Sequence, residues 1–210
     1  MRLETYTLPM RIGVLGGTFD PVHFGHLRTV EAAAARFGLG AVLFVPARRS
    51  PFKEEFPTDS RHRVAMLALA LDGHPDWRIV FDELDREPPS YTVDTLRTLS
   101  ARSGGAELWL LMGTDTLAHL ARWRQPEEIV RLARIAAFHR EPFVGDGLRV
   151  PDVAGLSSRL EVFDAGSVRI SSSGLRASLR RGESAAASVP GPVAEYITKH
   201  GLYRLPAAAR

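Results

Sequence analysis

The sequence predicts an α/β protein: a mostly parallel sheet flanked by helices, with a small helical part at the C-terminal end. Three observations predict it. Short apolar runs end at glycine or proline, amphipathic stretches of helical period separate them, and the two kinds alternate along the chain.

Residues 11–16 (RIGVLG) form the first apolar run, and the pair Gly16-Gly17 closes it as a strand stopping at a turn. From Phe24 to Phe37, Leu27, Val30, Ala34 and Phe37 recur at spacings of three and four, a helix that Gly38 stops. Residues 41–45 (AVLFV) read as a second strand closed by Pro46, and Arg48 to Ser60 as a polar loop. A helix over 60–71, with Ser60 as its cap, leads to a third strand at 77–81 (WRIVF). A helix from Ser90 to Ser100 is entered through Pro88-Pro89, and 107–112 (ELWLLM) is a fourth strand ending at Gly113. Helices are expected around 116–121 and 126–133. Weaker strands follow at 134–138 and 160–163, then helices near 172–181 and 192–200. The pattern shows no repeat and no linker, so one domain is expected over 1–210, its core at about 11–204.

The bulk numbers leave room for one sizeable core. Apolar residues make up 45% and charged residues 24% of the 210 positions, an ordinary globular balance. The absence of cysteine excludes a disulfide framework and any thiolate metal site. The opening MRLETYTLPM lacks a signal peptide's apolar core, and no run reaches the roughly 20 apolar residues a bilayer span needs, so a cytoplasmic protein is expected. The 27 basic and 24 acidic residues are interspersed, which gives no footprint for nucleic acid.

The chemistry concentrates in GGTFDPVHFGH, residues 16–26. Gly16 and Gly17 permit positive φ and close approach of backbone to ligand, and Asp20-Pro21 shape the turn. The helix that follows opens with unpaired N–H groups, a natural phosphate site. His23 and His26, three apart, share one face and can donate to phosphate oxygens. Two histidines at this spacing alone are more often polar residues that solvate a helix start. The glycines, the turn and the position after the first strand together reverse that preference. A second candidate is Ile170-Ser171-Ser172-Ser173-Gly174-Leu175-Arg176, where hydroxyls cap a helix and an arginine one turn on can grip an anion. A plain serine-capped helix fits that segment equally well.

The first of these motifs resembles the H-x-G-H nucleotidyltransferase superfamily, and within it the bacterial nicotinate mononucleotide adenylyltransferases. The second resembles the family's I-S-S-T-x-I-R, with Ser173 in place of its threonine. The resemblance implies a Rossmann-like nucleotidyltransferase fold with ATP over the turn. By that likeness ATP would meet Gly16, Gly17, Thr18, Phe19, His23, His26, Gly113, Asp115, Ile170, Ser171, Ser172 and Arg176. The stretch from Glu83 and Arg86 through Pro89-Ser90-Tyr91-Thr92-Val93-Asp94-Thr95-Leu96 resembles the family's acceptor segment. Gly113-Thr114-Asp115 with Trp123 resembles its G-x-D…W, the tryptophan stacking on a pyridine ring. Without the family, Ser90–Thr92 reads as an ordinary capped helix, Trp123 as a packing residue and Asp115 as a turn aspartate. The closing Tyr196-Ile197…His200-Gly201-Leu202-Tyr203 also resembles the family, and a core-packing helix is the preferred reading there.

One departure stands out. Where the family often has P-P-H-K, this chain has Ser50-Pro51-Phe52-Lys53, so a cation remains but the histidine is gone; Arg48 or Arg49 is the candidate replacement. The region 134–143 matches only weakly. The expected reaction is transfer of AMP from ATP to nicotinate mononucleotide, with Mg²⁺ arriving on the ATP and no metal site on the protein. The catalytic set is His23, His26, Lys53 and Arg176, and the acceptor set is Lys53, Ser90, Tyr91, Thr92 and Trp123. The alternatives are another acceptor, such as phosphopantetheine or flavin mononucleotide, or a nucleotide-binding module without turnover.

Overall fold

The computed structural model describes residues 10–48, 57–87, 89–139, 148–166 and 170–204. Among them six strands pair in parallel throughout: β1 (Arg11–Gly17), β2 (Ala41–Pro46), β3 (Trp77–Ile79), β4 (Glu107–Gly113), β5 (Ala133–His139) and β6 (Leu160–Asp164). Their order is β3-β2-β1-β4-β5-β6. The chain therefore reverses direction across the sheet between β1 and β4, and open α/β sheets bind ligands in the crevice at such a point. Gly17 and Gly113 end the two strands that flank it.

Nine helices are seen among the described residues: α1 (Phe24–Phe37), α2 (Ser60–Leu71), α3 (Asp82–Asp85), α4 (Thr92–Arg102), α5 (Thr114–Leu117), α6 (Pro126–Leu132), α7 (Leu156–Arg159), α8 (Ser172–Arg180) and α9 (Gly191–Lys199). A core lies on each face of the sheet. Alternation along β1 sends Leu15 into one, with α1, α2, α8 and α9, and Ile12 and Val14 into the other, with α4, α6 and α7. Burying each such Leu or Ile contributes about 1.5–3 kcal/mol.

Several expectations need correction. The cap of α2 is Asp59, whose carboxylate accepts from the Arg61 N–H, so Ser60 is already helical. The third strand stops at Ile79, and α4 begins at Thr92 with Tyr91 as its N-cap, two residues later than expected. The helix expected at 116–121 is two pieces, α5 and a 3-10 turn at Leu120–Arg122. On α1, Ala33 is buried where Ala34 was expected, beside Leu27, Val30 and Phe37. Gly38 does stop that helix, in left-handed conformation at φ 63°.

Candidate active site

The turn after β1 is built differently from the expectation. Neither Gly16 nor Gly17 has positive φ; that conformation falls on Phe19, at φ 49°. Its ring, 1% exposed, packs over the place where a Cβ of Gly17 would sit, at 3.1 Å. Phe19 is thus a core residue that shapes the turn, and its ring is not available to a ligand. A Cβ on Gly16 would meet nothing within 4 Å, so the exposed strand end is open there.

His23 is the N-cap of α1 and is 5% exposed. The Nδ1 of His26 accepts the His23 backbone N–H at 3.3 Å. That bond assigns the ring proton of the neutral imidazole to Nε2, its donor. The two imidazoles stack at 3.8 Å between centroids, and Phe19 meets His26 edge-on at 5.2 Å. Gly25 makes this possible: a Cβ there would lie 2.9 Å from two atoms of the His23 ring and 3.4 Å from the Ile170 carbonyl.

The second serine-rich segment meets the first. Ser171 caps α8 by accepting the Gly174 N–H at 3.1 Å. Ser172 Oγ donates to the Pro21 carbonyl at 3.0 Å, and Arg176 Nη1 donates to the Asp20 carbonyl at 2.8 Å. The N-termini of α1 and α8 therefore converge beside the β1–β4 crevice, where their partial positive charge favours an anion, while the Phe24 and Gly174 N–H groups are already taken by the Ser188 carbonyl and Ser171 Oγ.

The acceptor candidates lie around the start of α4. Ser90 is buried and donates to the Glu83 carbonyl at 3.2 Å, so its hydroxyl holds the loop. Thr95 Oγ1 donates to Glu83 Oε1 at 2.8 Å, while Arg86 donates to Thr95 and Thr98. Burial pushes the Glu83 carboxyl above its ordinary range, against the lowering pull of Thr95 and Arg86. Tyr91 is half-buried, with the Arg124 guanidinium over its ring at 4.6 Å. The indole of Trp123, also half-buried, packs on the same core as Tyr91. Asp115 is exposed in the first turn of α5, and Gly113 precedes it as N-cap. Beside them Thr114 Oγ1 and His139 Nδ1 lie 3.3 Å apart at the ends of β4 and β5.

Arg48 reaches across from the end of β2 to the Arg86 carbonyl at 3.1 Å and to Glu87 at 3.4 Å. Lys53, Phe52 and Arg49 lie outside the described residues.

Behind the turn lies a second set, in which sequence reasoning missed Thr58 and Arg63 and read Tyr203 only as part of a core-packing helix, whereas α9 ends at Lys199 and Tyr203 bonds Asp20. Arg63 did carry a signal, since it stands in the buried stripe of α2 with Met66, Leu67 and Ala70. An arginine in phase with apolar neighbours is a buried cation that needs partners.

A family model described as cytidylyltransferase-like matches residues 14–178. The probable nicotinate-nucleotide adenylyltransferase of Bordetella petrii is 41% identical over 197 residues, covering 92% of this chain and 99% of that protein. Its counterpart in Herpetosiphon aurantiacus is 36% identical over 197 residues, covering 92% and 98%. The chain belongs to the nicotinate-nucleotide adenylyltransferase family. Among solved structures, Plasmodium falciparum nicotinic acid mononucleotide adenylyltransferase complexed with NaAD matches with a TM-score of 0.73 at 19% identity, over 92% of this chain and 97% of that one. At that identity the likeness extends the family's Rossmann-like fold to this sheet and its helices.

Proposed function

We infer that the protein is a nicotinate-nucleotide adenylyltransferase that moves AMP from ATP to nicotinate mononucleotide. The products are nicotinate adenine dinucleotide and pyrophosphate, a step of NAD biosynthesis. The observation that carries the reading is the contact of Ser172 and Arg176 with the Asp20-Pro21 turn, which joins two anion-binding helix starts at the sheet's switch point.

A phosphate oxygen of the acceptor attacks the α-phosphorus of ATP, and the bond from that phosphorus to the bridging oxygen of the β-phosphate breaks. The nucleophile is already an anion at neutral pH, so no general base is needed. The work left to the protein is alignment and charge stabilisation. His26, through Nε2–H, and His23 donate to phosphate oxygens; Arg176 and the N-termini of α1 and α8 supply positive potential, and Lys53 adds a cation. Gly16 and Gly17 let the nucleotide lie close on β1, with Thr18 and Phe19 contributing backbone. Gly113, Asp115, Ile170 and Ser171 line the nucleotide's other side. Tyr91, Thr92 and Trp123 hold the pyridine mononucleotide, with Ser90 fixing the loop that carries them.

Mg²⁺ would neutralise phosphate charge when bound with ATP. The donor set fits a metal carried by substrate: both Asp20 carboxylate oxygens already accept protein bonds, and no group of three His, Asp or Glu able to hold a metal occurs among the described residues. A single domain holds both substrates, and a cytoplasmic setting without nucleic acid or membrane completes the proposal. Among the described residues no helix is long and apolar enough to cross a membrane.

Purified protein supplied with ATP, Mg²⁺ and nicotinate mononucleotide should release pyrophosphate and form the dinucleotide. In parallel, nicotinamide mononucleotide, phosphopantetheine and flavin mononucleotide should give lower kcat/KM. Faster turnover of any of these would overturn the acceptor assignment, and ATP binding with no turnover on any acceptor would overturn the reaction.

A further inference from the structure

The turn at residues 18–21 is also held by groups that lie outside α1 and α8. Arg63, 1% exposed, donates from Nη1 to the Thr18 carbonyl at 2.6 Å and from Nε to the Thr58 carbonyl at 2.8 Å. Asp20, 5% exposed, accepts from the Tyr203 hydroxyl at 2.7 Å on one carboxylate oxygen and from the Thr58 N–H at 3.1 Å on the other. The Asp20 charge favours the charged form of Arg63, offsetting part of the cost of burying that cation. Tyr203 itself sits at φ 66°, a left-handed conformation that a tyrosine rarely adopts.

We propose that Tyr203 and Arg63 are positioning residues for the ATP-binding turn, the C-terminal segment acting as a clasp that closes on Asp20. The reason is geometric. In a trans peptide the C=O and the next N–H point in opposite directions. Tying the Thr18 carbonyl back to Arg63 therefore turns the Phe19 N–H away from α2. Ser172 fixes the Pro21 carbonyl from the α8 side. Two of the turn's acceptors, the Thr18 carbonyl and the Asp20 carboxylate, are thereby engaged from behind and kept from an anion bound at the turn. Burial and the neighbouring carboxylate both raise the Tyr203 phenol above its ordinary value, so it keeps its proton and remains a donor.

This inference rests on ATP being the ligand of the turn, and calorimetry on the full chain tests it without turnover. Tyr203→Phe should weaken ATP about tenfold, the worth of one hydrogen bond to a charged group, and leave nicotinate mononucleotide affinity within about twofold. Leu202→Ala is the control: its side chain packs on the core in the same segment and makes no bond to the turn, so it should lower Tm and spare ATP affinity. Unchanged ATP affinity in folded Tyr203→Phe, or an equal loss in Leu202→Ala, overturns the proposal. Should Tyr203→Phe not fold, Asp20→Asn takes its place in the same titration: a loss of ATP affinity supports the clasp and unchanged affinity overturns it. A wild-type enzyme inactive on nicotinate mononucleotide would instead sink the acceptor assignment and leave this comparison standing.

Discussion

Position 25 is where the first motif can least tolerate a change. A methyl group there would press on the His23 ring at 2.9 Å, closer than real Cβ contacts come. The ring cannot simply rotate away, because it is buried and stacked on His26 at 3.8 Å. The other neighbour, the Ile170 carbonyl at 3.4 Å, is backbone and belongs to the second motif. Gly25→Ala should therefore displace an imidazole by several tenths of an ångström and cut kcat by roughly one to two orders of magnitude, since misplacement of that scale is costly in an aligned site. Steady-state kinetics beside a thermal melt would check it; kcat near wild type would mean that position 25 has room for a side chain after all. His23 and His26 were picked out in the sequence by their spacing together with the glycines, the turn and the place after the first strand, not by spacing alone. The second neighbour of Gly25 was not legible, because Ile170 lies in a segment that only the tertiary fold brings near.

Among elements, the α3–α4 junction shows a different limit. The long periodic elements were readable from their sequence, as the bounds of α1 and β4 show. The four-residue helices α3 and α7 were not, because one turn has no period to detect. Glu83, at the second position of α3, accepts from Thr95 of α4, and Ser90 returns a bond to its carbonyl. This pair of bonds explains why α4 starts at Thr92, since Ser90 is spent holding the loop. Burial raises the Glu83 carboxyl above its ordinary value of 4.5, so the folded state holds that proton more tightly than the unfolded chain. The contribution is therefore fully present below pH 4.5 and is lost as pH rises through the elevated folded value. Glu83→Gln keeps an oxygen for Thr95 and removes the titration. Denaturant unfolding across pH 4 to 8 should show wild type losing stability relative to Glu83→Gln as pH rises; a constant difference would refute the role given to Glu83.

At the scale of the molecule, an order of β3-β2-β1-β4-β5-β6 brings together two candidate nucleotide segments, 16–26 and 170–176, that lie far apart in sequence. Alternating strands and helices announced a parallel sheet, but strand order depends on which edge each crossover takes, and no local pattern records that. Asp20 and Arg176, 156 residues apart, are joined only once both halves of the sheet are complete. Ligand binding should therefore be felt as one event in two places. ATP at a hundred times its Kd stabilises the fold by about 2.7 kcal/mol through mass action alone. Because both helix N-termini contribute N–H groups, hydrogen exchange should slow at 22–27 and at 172–176 together when ATP is added. Exchange over 133–138, inside β5 and outside the two strands that flank the crevice, should change least. Protection confined to 22–27 would mean that α8 braces the turn without touching nucleotide, and Arg176 would then leave the catalytic set for the clasp behind it.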